Sequence, residues 1–149
     1  MKHLWALPRS LRGSYLLVLR LDEARELSVG RLGTFRFEAG HYAYVGSALN
    51  GLRGRILRHL RGGKRHWHLD YLLPHGVVEA IWVACSLERL ECRVVSLLDK
   101  SLVATVPGFG ASDCHCVAHL FRVGTGGMPT LSRLGFEVVA WEECFEAAS

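Results

Sequence analysis

A chain of 149 residues, half of them apolar and 21% charged, has the length of one domain and the makings of a packed core, which excludes a disordered or fibrous class. No apolar run approaches the roughly 18–20 residues that a membrane helix needs, and Leu4 to Leu7 is too short for a signal peptide, so the expectation is a soluble, cytoplasmic protein without a membrane partner. The 18 Lys and Arg against 14 Asp and Glu give a net charge of +4, which is mildly basic, so the distribution of charge says more than its sum.

In chain order, residues 14–21 read as a largely buried strand and residues 22–26 as a charged turn. Gly30, Gly33 and Gly40 punctuate two further short strands near 34–37 and 41–46. The first 46 residues are thus expected to form a small antiparallel sheet. A helix follows, with Asn50 as its N-cap and Leu52, Ile56 and Leu60 repeating every four residues. Gly54 sits inside that helix, where glycine costs about 1 kcal/mol relative to alanine. Close approach of a strand or of a phosphate backbone would account for it. His66 to Leu73 forms a short element stopped by Pro74, residues 77–85 form a strand, and Ser86 caps a helix over 87–100. A short helix near 115–121 and a late strand at 136–141 complete the series. No internal repeat or linker breaks the chain, and the order of elements implies an α+β domain with helices against a small, mainly antiparallel sheet.

Charge is unevenly placed. Residues 51–66 hold Arg53, Arg55, Arg58, Arg61, Lys64 and Arg65 and no acid, which is the footprint of a nucleic acid or of a solvated helix face. Residues 137–146 hold Glu137, Glu142, Glu143 and Glu146 and no cation. The five cysteines are odd in number and lack a secretory context, so they read as free thiols, core residues or metal ligands.

The helix over 87–100 carries one anomaly. Leu87, Leu90, Val94, Val95, Leu97 and Leu98 share an apolar face, and Glu91 falls in its middle. A buried carboxylate needs a cation, because an uncompensated charge costs several kcal/mol. The partner is either a metal ion or an arginine such as Arg55, unless Glu91 stands at the rim of the face where its carboxylate reaches water.

Two tyrosine tripeptides frame the N-terminal sheet: Gly13-Ser14-Tyr15 and Tyr44-Val45-Gly46, the latter followed by Ser47-Ala48 and the Arg-rich helix. This arrangement resembles the GIY-YIG nuclease superfamily. The run through Leu52-Arg53-Gly54-Arg55-Ile56 to His59 is similar to the N-terminal incision domain of UvrC excision-repair nucleases. The His66-Trp67-His68-Leu69-Asp70-Tyr71-Leu72-Leu73 block, Glu91-Cys92, and the stretch from Pro107 to Cys114 resemble a branch of the superfamily that also occurs fused to endonuclease III-type glycosylases. The likeness spans about residues 12–122 of a single domain, 1–149, and leaves 123–149 as a C-terminal extension. Ser14 and Val45 replace the middle isoleucines of the two motifs. The long interval from Tyr15 to Tyr44 implies an extended hairpin through 22–40.

The resemblance implies a metal-dependent endonuclease acting on DNA, branched or damaged DNA included, in repair or processing. Arg55 takes the position of the catalytic arginine, His59 the polar position after it, and Glu91 that of the metal-binding glutamate. One Mg²⁺ or Mn²⁺ ion is implied. A lone carboxylate suits such an ion, which keeps most of its waters and can hold both the phosphate and the leaving oxygen. An arginine clamps phosphate through paired N–H donors. Tyr15 or Tyr44 would orient or deprotonate the attacking water, which requires nearby positive charge because a free phenol titrates near ~10. Arg53, Arg58, Arg61, Lys64 and Arg65 would track phosphates without reading sequence. The alternative is a non-catalytic nucleic-acid-binding module on the same scaffold. A protein partner is not specified.

Two side clusters remain. His66, His68 and Asp70 alternate in a short segment and either line the substrate groove, brace the sheet, or form a second metal site. Cys114, Cys116 and His119 offer three zinc donors without a fourth nearby. A Gly-rich loop burying small thiols explains them more simply than a structural Zn²⁺.

Overall fold

The computed structural model describes residues 2–48, 50–62, 68–85, 103–104, 120–123 and 135–141. Among them are nine strands: β1 (Lys2–His3), β2 (Gly13–Leu21), β3 (Arg25–Val29), β4 (Gly33–Phe37), β5 (Gly40–Ala48), β6 (Val77–Cys85), β7 (Val103–Ala104), β8 (Leu120–Val123) and β9 (Glu137–Ala140). Helix α1 spans Leu52–Arg61 and α2 spans Leu69–Leu72. The main sheet runs β1-β9-β6-β2-β5-β8-β7, and β3 pairs with β4 in a separate hairpin. Every described pairing is antiparallel except β1 with β9. This is the expected α+β domain.

β2 and β5 form the centre, paired over their full length from Gly13↔Ala48 to Leu21↔Gly40. The pleat sends Tyr15, Leu17, Leu19 and Leu21 to one face, joined there by Tyr42, Tyr44 and Ala48 from β5 and by Ile81 and Val83 from β6. Leu52, Ile56 and Leu57 of α1 seal that face, with Leu4 and Leu7 of the N-terminal segment. The residues between them, Leu16, Ala43 and Val45, are also buried, so the central strands read as nearly continuous apolar runs.

Several expectations are corrected. Asn50 does not cap α1; Gly51 does, with no side-chain bond and a φ of +127° that favours glycine. The helix start is satisfied by the main chain instead, the Leu52 N–H donating to the Leu11 carbonyl at 2.8 Å. The turn assigned to 22–26 ends early, because Arg25 and Glu26 pair with Phe37 and Arg36 in the hairpin. That hairpin fills the long interval between the two tyrosine motifs. Pro74 does not stop the chain's helical path but sits in a 3-10 turn, Leu73–His75, where its fixed φ and missing N–H cost nothing. Leu120 and Phe121 are not helical: both are buried in β8, paired with Tyr44 and Ala43. The helix expected over 87–100 lies outside the described residues. Among the described residues, no helix is long and apolar enough to cross a membrane.

Candidate active site

The site is assembled where β2, β5, α1 and α2 meet. Register places Tyr15 directly opposite Gly46. The tyrosine ring lies over that glycine so closely that a Cβ at 46 would stand 2.6 Å from both Cζ and Oη. Gly13 has its own reason: a Cβ there would run into the Ala84 carbonyl of β6. The glycines of both tripeptides are thus steric requirements of the sheet. Ser14, between them, is fully buried, and its hydroxyl shares a 3.0 Å hydrogen bond with that of Ser47, its partner across the strands.

Helix α1 presents Arg55 and His59 to this point, four residues apart on one face. Tyr15 Oη and His59 Nε2 are 2.6 Å apart, and His59 Nδ1 lies 2.8 Å from Asp70 Oδ1 on α2. A carboxylate only accepts, so Nδ1 carries the imidazole proton and donates to Asp70. The Nε2 lone pair then accepts the Tyr15 hydroxyl proton. The result is a buried chain, Tyr15 to His59 to Asp70, whose members are 0%, 1% and 8% exposed. Tyr44 closes the cluster, its ring centroid 6.2 Å from that of Tyr15 and 6.2 Å from that of His59.

Arg55 supplies the positive charge. Its guanidinium carbon lies 5.5 Å from the Tyr15 ring centroid, and its Nη1 donates to the Ser47 carbonyl. That bond fixes the guanidinium relative to β5. Burial raises the Tyr15 phenol well above its ordinary value, Tyr44 adds to this, and Arg55 pulls it back down. Burial lowers His59 below its ordinary value of 6.5, and Asp70 opposes that shift. At neutral pH the resting state is therefore a neutral phenol on a neutral imidazole on a carboxylate.

The structure brings together Tyr15, Tyr44, Arg55 and His59. It adds Asp70, which sequence reasoning had grouped with His66 and His68 as a groove or second metal site. The correction has a physical cause: Asp70 is buried between Leu69 and Leu72, and its carboxylate faces α1. An acid inside the apolar run Leu69 to Leu73 is the same kind of anomaly that singles out Glu91, and it was the available signal. His68 is half-buried at the start of α2, with its imidazole pushed below its ordinary value by burial. Arg53 stands away from the site, its guanidinium over Trp5 rather than beside Arg55. Arg58 and Arg61 are exposed on α1. A Cβ on Gly54 would meet nothing within 4 Å among the described residues, so approach of a described strand does not explain it.

Glu91, Lys64, Arg65, His66, Cys114, Cys116 and His119 lie outside the described residues. No group of three or more potential metal ligands occurs among the described residues. Asp70, the carboxylate in this cluster, holds His59 through one of its oxygens.

A family model described as "Domain of unknown function DUF123" matches residues 14–134. No curated protein and no solved structure gives a significant match to the chain.

Proposed function

The chain belongs to the DUF123 family, and from that premise and the geometry of the cluster we propose that it is a metal-dependent nuclease of GIY-YIG type, hydrolysing phosphodiester bonds in DNA. The observation that carries the reading is the convergence of Tyr15, His59 and Arg55, drawn from one strand and one helix, on one buried point. A core tyrosine needs a partner for its hydroxyl, but a backbone carbonyl would serve. An imidazole oriented by a carboxylate, with a guanidinium beside it, is the equipment of proton transfer next to an anion.

In this reading the attacking water gives its proton to the Tyr15 oxygen while the Tyr15 proton passes to His59 Nε2. Asp70 stabilises the imidazolium so formed and holds the ring in the required tautomer. The positive charge of Arg55 favours the phenolate character that develops. The same guanidinium, held by the Ser47 carbonyl, offers N–H donors to the phosphate. Tyr15 is shut off from bulk solvent, so its oxygen must be uncovered before a water can reach it. Glu91 is the residue that would hold the divalent ion. When bound, the ion would offset charge on the phosphate and the leaving oxygen. Arg58 and Arg61 extend positive charge along α1 for the flanking phosphates.

The test is cleavage of supercoiled plasmid and of branched, flapped and single-stranded DNAs with Mg²⁺, Mn²⁺ or EDTA. Metal-dependent cutting that disappears in Arg55→Ala and Glu91→Ala is the expected result. Salt-sensitive binding without cutting on any substrate would instead establish a binding module.

A further inference from the structure

On the far side of α1 from Tyr15, the helix and the N-terminal segment border an open cavity of about 270 Å³. Arg53, Leu57 and Arg61 line it at four-residue intervals, with Gly54 beside them and Trp5 and Arg9 contributed by the N-terminal segment. Among the described residues, no acidic side chain lines it. Trp5 is one of two large apolar side chains left exposed among the described residues, at 37%. The Arg53 guanidinium lies 4.5 Å from the Trp5 ring centroid and reaches the Leu7 carbonyl at 3.5 Å. The guanidinium thus lies over one face of the indole, and the two planar groups form a stack already held in place.

Gly54 makes the cavity informative. A glycine inside a helix is destabilising relative to alanine. Its φ is not positive, and no described atom lies within 4 Å of where its Cβ would be. Neither backbone geometry nor packing among the described residues requires it, whereas a side chain at this position would project beside the cavity. A space with a stacked indole and guanidinium, apolar Leu57 and arginines at the rim fits a ligand that is planar, π-faced and anionic. An unpaired nucleotide has those three properties. A base within a duplex is stacked on both sides and cannot enter.

We propose that this cavity is a subsite for one unpaired nucleotide of a single-stranded nucleic acid, its base on the Trp5–Arg53 stack and its phosphate at Arg9 and Arg61. The subsite rests on the proposed function only for the class of partner, whereas the substrate class drawn from it rests also on cleavage. The subsite lies across α1 from Arg55, about one helix diameter (~10–12 Å) away. The enzyme would therefore hold an unpaired stretch beside the bond it cuts, which names junctions between paired and unpaired DNA as the substrate class.

The experiment is fluorescence anisotropy of a labelled oligothymidylate and of a blunt duplex of equal length, in EDTA, with the full chain. Trp5→Ala and Gly54→Leu should each weaken oligothymidylate binding by roughly 5- to 150-fold, the range of one lost base stack, and leave duplex binding unchanged. Trp5→Phe should retain most of the affinity. Leucine is a good helix former, so Gly54→Leu keeps the test open should Trp5→Ala fail to fold. Wild-type oligothymidylate affinity in both Trp5→Ala and Gly54→Leu, or an equal loss on the duplex, would overturn the subsite. Cleavage measured in parallel separates the two proposals. Trp5-dependent binding with no cutting removes the nuclease and keeps the subsite, whereas cutting with Trp5-independent binding does the reverse.

Discussion

Replacing Gly46 by alanine should damage both the fold and the site, for one steric reason. The new Cβ would stand 2.6 Å from Tyr15 Cζ and Oη. Nonbonded carbons sit about 3.5–4.0 Å apart, so the ring must retreat by ~1 Å. The Tyr15–His59 hydrogen bond is 2.6 Å long, and such a retreat carries it beyond the ~3.2 Å limit of a good bond. Overpacking costs about 1–3 kcal/mol, and breaking a buried hydrogen bond costs about as much again. At about 2–4 °C per kcal/mol for a chain of this size, the expected fall in Tm is roughly 5–20 °C. Gly54→Ala is the matched control, since its Cβ meets no described atom within 4 Å. It should raise Tm by about 2–4 °C through helix propensity alone. Far-UV circular dichroism melts of the two variants and wild type settle the matter. A Gly46→Ala protein that melts at or above wild type would refute the reasoning. On cleavage, a displacement of ~1 Å should cost on the order of 10²-fold.

Other expectations follow from the same cluster. His59 is held below 6.5 in the folded state, so below that pH the unfolded chain binds more protons and stability falls with pH. The slope should approach at most about 1.4 kcal/mol per pH unit, and denaturant midpoints between pH 7 and 5 should show it flattened in His59→Gln. Tyr15 is shifted the other way, so stability should fall above pH 10, where the unfolded phenol ionises first, and Tyr15→Phe should lack that loss. Asp70→Asn keeps an oxygen at His59 Nδ1 but removes the charge. It should fold and cut about 10²–10⁴-fold more slowly, as read from single-turnover rates beside a thermal melt. Gly13→Ala drives a Cβ into the Ala84 carbonyl and should yield no folded protein, which circular dichroism will report.

Much of the site was legible in the sequence because its chemistry sits at fixed local spacing. Tyr15 and Tyr44 each belong to a short strand motif, and Arg55 and His59 stand four residues apart on one helix, so the resemblance to GIY-YIG nucleases could place all four residues. Strand β6 was readable as a mostly apolar run broken only by Glu79, and the β3–β4 hairpin from the length separating the two tyrosine motifs. Contacts between distant elements were less legible. Asp70 meets His59 only because α2 folds back onto α1, and no spacing rule encodes that approach. The role of Ser47 lies in its carbonyl, which a side-chain reading ignores. The cap of α1 was assigned to Asn50 on residue preference, yet the main chain of Leu11 satisfies the helix start. Leu4, Leu7 and Leu11 carry an apolar spacing that went unread, although the N-terminal segment they anchor closes the core and carries Trp5.

The central claim is that the Tyr15 hydroxyl, bonded to His59, moves the proton in phosphodiester hydrolysis. Single-turnover cleavage of the best DNA substrate by wild type and Tyr15→Phe, with DNA affinity measured alongside, tests it most directly. The expected result is a Tyr15→Phe protein that folds and binds DNA as wild type does but cuts it about 10²–10⁴-fold more slowly. Cleavage by Tyr15→Phe at the wild-type rate would contradict it.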